Sequence, residues 1–169
     1  RDMLDAIGGF DETFFAYGDD TDIGLHGRYL GYEAIYCPEA VIYHKYSGTA
    51  GSYSALKAFY VERNRLWILV KYFPLADILL SPYFTLKRIA LQAWGIIVNR
   101  GSAAKMVRSE SVFILFKTFL RSYLSAFTGL PQMLKKRRSI FEHKRISRRE
   151  FRSLMQRHRL SCREVALKD

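Results

Sequence analysis

Residues 32 to 44 read YEAIYCPEAVIYH, and the way this stretch folds decides the class of the protein. Ile35, Tyr36, Val41, Ile42 and Tyr43 are β-branched or aromatic, residue types that suit a pleated, half-buried surface. Pro38 falls between the two runs, where it has no N–H to give to a ladder. The stretch is therefore expected to form two short strands bent at Pro38. Strands set among helices imply an α/β fold.

The flanking sequence reads as helix. Upstream, residues 14 to 32 are FFAYGDDTDIGLHGRYLGY. A helix is expected from Asp20, capped by Asp19 or Asp20 and closed by Gly31 at the position past its end. Downstream, the loop KYSGTAGS leads to Ser52 or Ser54, either of which can open a helix. In that helix Leu56, Phe59, Tyr60, Arg63, Trp67 and Val70 recur at helical spacing, and Pro74 ends it. Residues 75 to 99 are apolar and aromatic, but Asp77, Pro82, Lys87 and Arg88 interrupt them. No run reaches the roughly 18 charge-free residues of a spanning helix, so helices in a membrane interface or on a core are expected. Residues 110 to 134 form a further amphipathic helix that ends near Gly129 and Pro131. After KKRR at 135 to 138, Ser147 with Glu150 and Ser161 with Glu164 make two capping boxes. Three segments result: 1–74 with the strands and the acidic cluster, 75–134 with the interfacial helices, and 135–169 as a basic helical tail.

Charge divides the chain differently. Its 169 residues carry a formal net charge of +11. Residues 1 to 99 hold nine basic and eleven acidic side chains, a net of −2, whereas the remainder holds eighteen and five, a net of +13. The back half should meet something anionic. Phe113, Phe116, Phe119, Tyr123 and Phe127 share helical spacing with apolar neighbours. That pattern suits an anionic membrane surface or a packed core better than nucleic acid. Two distant cysteines, Cys37 and Cys162, make no disulfide framework and point to a reducing compartment. The opening RDMLDAIGGFDE has no signal-peptide pattern and reads as the middle of a longer protein.

Asp19, Asp20 and Asp22 crowd three carboxylates into four positions. A structural role is open to them, since carboxylates favour a helix start, yet one would suffice. D-x-D at 20 to 22 could hold a divalent metal, but such a pair normally ends an apolar strand, and here an aromatic loop precedes it. The metal reading of Asp20 and Asp22 is set aside. A carboxylate at a helix start beside aromatics can also serve as a general base.

The ordered series GGFDETFFAYGDDTDIGLHGRYLGYEAIYCPEAVIYH, with YVERNRLWILVKYFP after it, resembles the C-terminal half of the catalytic domain of family 2 inverting glycosyltransferases, the rhamnosyltransferase-like branch especially. The resemblance covers residues 4 to 74. It implies a partial GT-A fold at 1–74, the acceptor side of a nucleotide-diphospho-sugar transferase, followed by amphipathic helices. It implies Asp20 as catalytic base, with Asp19 in the acidic pair and Asp22 and Arg28 in support, though a plain surface ion pair of those two stays open. It implies a divalent metal, Mg²⁺ or Mn²⁺, with His44 as a candidate ligand; a structural role for His44 is equally open. The implied reaction transfers a sugar from a nucleotide-sugar donor to a glycan or polyprenyl-linked acceptor, with inversion, in cell-envelope polysaccharide synthesis. The implied place is the cytoplasmic face of the cell membrane, peripherally bound. No β-α-β start for the nucleotide is found in the sequence, so the isolated chain is expected to bind donor poorly. The alternative from another class is a non-catalytic basic helical module for anionic membrane or nucleic acid. His26, His143 and His158 are expected on the surface.

Overall fold

A computed structural model of the chain describes residues 1–43 and 54–167. Its regular elements are helical throughout: α1 Asp2–Ile7, a 3-10 turn Glu12–Phe14, α2 Asp19–Tyr29, α3 Ala55–Tyr72, α4 Leu75–Ile97, α5 Gly101–Ser109, α6 Val112–Thr128, α7 Leu130–His143, α8 Arg148–Arg157 and α9 Cys162–Leu167. No strand occurs among the described residues.

The expected α/β class and the partial GT-A fold are therefore overturned. Residues 33 to 43 form no ladder, and their apolar side chains point into solvent, with Ile35 84%, Ile42 86% and Tyr43 97% exposed. The physical reason is that a strand exists by pairing. β-branched and aromatic residues favour a pleated surface only where a neighbouring strand and a packed face are offered. The described residues offer neither.

Three helix starts carry the serine caps that the sequence offers, whereas α2 starts at Gly18, with Asp19 and Asp20 inside its first turn and neither one capping it. The Ser54 side chain accepts from Lys57 N–H at 3.2 Å and starts α3. Both capping boxes form, with Ser147 N–H donating to Glu150 at 2.7 Å and Ser161 N–H to Glu164 at 2.7 Å. At the end of α2 the N–H of Tyr32 reaches Gly27 C=O at 3.0 Å and that of Gly31 reaches Arg28 C=O at 3.0 Å, a Schellman closure. Gly31 takes the left-handed φ of 87° that this closure requires.

α3 is the central element, packed against α6 and α7, with α2 beside it. One apolar cluster joins Phe14, Trp67, Ala126 and Met133. A second joins Tyr29, Tyr72, Ile140 and Phe151. Gly129 permits the first, since a Cβ there would lie 2.6 Å from the Trp67 ring. The Trp67 indole N–H donates to Ala126 C=O at 3.1 Å, so the ring's one polar group is satisfied. α4 leaves this core and packs against α5 and α9. No helix among the described residues is long and apolar enough to cross a membrane.

Candidate functional site

The loop before α2 is strained and firmly held. Phe15 and Tyr17 adopt φ of 62° and 64°, in the left-handed region that non-glycine residues avoid. Each such residue costs about 1–3 kcal/mol and persists only where its surroundings over-determine it. Those surroundings come from α3. The Asn64 amide donates to the carbonyls of Phe14, Ala16 and Tyr17 at 3.1, 2.8 and 2.6 Å. The Arg63 guanidinium donates to Thr13 and Phe14 carbonyls at 3.2 and 2.9 Å. It lies 4.2 Å over the Trp67 ring and 4.8 Å over the Tyr60 ring. Phe15 stacks on Tyr60 with ring centroids 5.1 Å apart, yet stays 76% exposed.

The loop delivers Gly18 as N-cap of α2 at φ 86°, and Asp19, Asp20 and Asp22 fill the first turn. A side chain on Gly18 would be strained by that φ and would crowd Ile68 Cδ1 at 3.2 Å. The three carboxylates have different fates. Asp22 is buried and pairs with Lys71 Nζ at 2.5 Å, while the Tyr72 hydroxyl donates to it at 2.9 Å. Asp19 is half-buried. Asp20 is exposed, its Oδ1 accepting from Thr21 N–H at 2.6 Å. The crowding is thus relieved by drawing one of the three inward onto a lysine.

Lys71 also pairs with Asp11 Oδ2 at 2.8 Å, and Lys136 reaches Asp11 Oδ1 and Thr13 Oγ1 at 2.5 Å each. Burial pushes the Asp11 carboxyl up, but the bonds from Lys136 and Lys71 outweigh it and hold it well below the usual carboxylate range. Burial, then the negative charge of Asp22, pushes the Tyr72 hydroxyl far up. Burial likewise raises Tyr29 to about 12, and its hydroxyl donates to Tyr72 C=O. A cavity of about 230 Å³ borders this network, lined in part by Gly8, Asp11, Asp22, His26, Lys71 and Lys136. His26, expected on the surface, is half-buried there. Burial first, and then the Lys71 charge, lowers its pKa below 6.5. Asp20 does not line the cavity.

Among the residues expected to act together, Asp19, Asp20 and Asp22 share one helical turn. Arg28 does not join them: it points toward the other end of α2, where it donates to Tyr32 C=O at 3.5 Å. The Asp22–Arg28 ion pair therefore gives way to Asp22–Lys71. His44 lies outside the described residues. Among the described residues no group of three or more His, Cys, Asp or Glu side chains could hold a metal ion.

Sequence reasoning missed Lys71, Glu62 and Asn64, all buried polar positions of α3. Their signal was present: Asn64 and Lys71 fall three residues either side of the buried Trp67 or one further, on the helix face that enters the core. Glu62 is held by Arg88 at 2.8 Å and Arg65 at 3.3 Å. The KKRR run is also divided by the fold. Lys136 binds Asp11, and Arg137 donates to the carbonyls of Val70 and Phe73 at 2.6 and 2.7 Å. Lys135 and Arg138 face outward.

No family model, no curated protein and no solved structure matches the chain. Together with the helical architecture, this overturns the resemblance to family 2 inverting glycosyltransferases.

Proposed function

We propose that the chain carries the acceptor-activating carboxylate of an enzyme that transfers a sugar from a nucleotide-sugar donor to a glycan or polyprenyl-linked acceptor, with Asp20 as general base. One observation carries this reading. Asp20 stands exposed in the first turn of a helix whose entry loop is strained at Phe15 and Tyr17 and pinned from behind by Arg63 and Asn64. Strain held beside an exposed carboxylate supports the reading of a positioned group. The exposed Phe15 ring, backed by Tyr60, offers a flat apolar face of the kind a sugar ring can lie against.

In the proposed step an acceptor hydroxyl attacks the anomeric carbon of the donor. Asp20 takes the hydroxyl proton as the new C–O bond forms. The bond to the diphosphate breaks, and its electron pair leaves on the diphosphate oxygen. One in-line displacement inverts the anomeric centre. Asp22, neutralised by Lys71, anchors the helix start so that Asp20 keeps its direction. The same reading places the chain peripherally at the cytoplasmic face of the cell membrane, in cell-envelope polysaccharide synthesis; the net +13 of residues 100 to 169 supports that surface.

The test is transfer from a panel of labelled nucleotide sugars to polyprenyl-phosphate-linked acceptor, using membranes from cells that make the natural full-length polypeptide. Asp20→Asn is expected to lower transfer by about 100-fold or more, the scale of a lost general base, with donor binding unchanged. Transfer within about tenfold of the parent removes Asp20 from that role.

A second reading is a non-catalytic basic module for anionic membrane, favoured by the exposed apolar residues and basic charge of the back half. It predicts no transfer by the parent protein and membrane binding indifferent to Asp20→Asn.

A further inference from the structure

α6 has a buried and an outward face, and the outward one is apolar. Ser122 and Ala126, small and buried, meet the core. Phe113, Phe116, Leu120, Leu124 and Phe127 turn away from it and are 74, 69, 55, 58 and 74% exposed. At about 100° per residue these five share an arc of roughly 80°, and at about 1.5 Å per residue the stripe runs roughly 21 Å. Lys117 and Arg121 border it on one side and are exposed. From Ser111 to Phe141 the chain holds no acidic residue.

We propose that this stripe docks the chain on an anionic lipid surface, with α6 lying in the plane of the headgroups. The proposal rests on the membrane-side part of the reading above and not on sugar transfer. A narrow apolar stripe edged by cations and free of carboxylates fits a boundary between acyl chains and phosphates. The phenylalanines and leucines enter the acyl layer, while Lys117 and Arg121 reach sideways to the phosphates. The stripe mixes three rings with two leucines, which suits acyl chains better than stacked bases. At 17 residues the helix is too short to cross, in keeping with a position flat in the interface. KKRR contributes chiefly through Lys135, because Lys136 and Arg137 are held inside the fold and Arg138 pairs with Glu142 at 3.0 Å.

The experiment measures co-sedimentation of the whole chain with phosphatidylcholine vesicles and with vesicles containing about 30 mol% phosphatidylglycerol, at matched salt. Binding is expected to be about tenfold or more tighter on the anionic vesicles. The double variant Phe116→Glu with Leu120→Glu changes only exposed side chains, so its helical circular dichroism should match the parent. Its binding should fall by about tenfold or more. Lys117→Gln with Arg121→Gln should weaken binding to anionic vesicles alone, and serves as the decisive pair if the glutamate variant misfolds. Parent binding that both double variants leave intact overturns the α6 face but spares the membrane reading. No binding to either vesicle overturns both. A parent dimer that the glutamate variant separates, with no vesicle binding, assigns the stripe to a second copy and also overturns the proposal.

Discussion

Lys71 holds an ammonium group, its side chain 3% exposed, between Asp11 and Asp22. Removing one partner from a buried ionic cluster leaves the others uncompensated. Lys71→Met is therefore expected to destabilise the fold by about 3–5 kcal/mol, read as a shift of the urea midpoint; a midpoint within error of the parent would mean the carboxylates find other partners. In the sequence Lys71 reads as an ordinary lysine in the last turn of a helix, where a cation is favoured anyway. Its partner Asp11 lies 60 residues away, and no local pattern joins them. Asp22 was legible as one of a cluster, but not as the one of the three that turns inward.

At the scale of elements, α7 completes α3. The last carbonyls of a helix have no partner within it, and Arg137 supplies two of them, at Val70 and Phe73. Its guanidinium also lies 4.4 Å over the Phe141 ring. Arg137→Gln should cost about 1.5–3 kcal/mol, the scale of hydrogen bonds to a charged group. Thermal melts followed by circular dichroism would show it, with Lys135→Gln as an exposed control that leaves the melt unchanged. This inward use was readable in principle. Met133, Arg137 and Ile140 recur at helical spacing, and Met133 and Ile140 are buried, so Arg137 falls on the apolar face. Read as a charge run, KKRR looked uniformly outward. The capping boxes at Ser147 and Ser161 and the glycine closure of α2 were legible because each is written within a few neighbouring residues. The strands at 32 to 44 were misread because pairing is not local, and composition alone carries no partner.

For the whole molecule, acid acts with one sign through two partly buried groups, His26 and Asp11, while the exposed Glu39, Glu150 and Glu164, each held low by its hydrogen bonds, add to the lower part of the range. His26 is less basic in the fold than its ordinary value of 6.5, so the unfolded chain binds its proton more readily. Its contribution to stability is present above that value and is lost as the pH falls through it. Asp11 is held below its ordinary value of 3.8, so its contribution is present above that value and is lost on further acidification. The melting temperature should thus be level above about pH 7 and decline below about 6.5, with a further decline below about 4. His26→Gln should flatten the first decline and leave the second. A first decline that persists in this variant would assign it to another group.

The segment from Glu33 to Tyr43 has a consequence for handling the protein in bulk. Its chemistry is that of a strand, and it makes no ladder among the described residues. An exposed segment of that chemistry can pair with the same segment of another molecule. Pro38 and Glu39 interrupt it at the middle, where a proline and a charge act as gatekeepers against fibrous stacking. Encounters between molecules through this segment are therefore expected to shorten colloidal lifetime as the solution is concentrated, which light scattering over a dilution series would show.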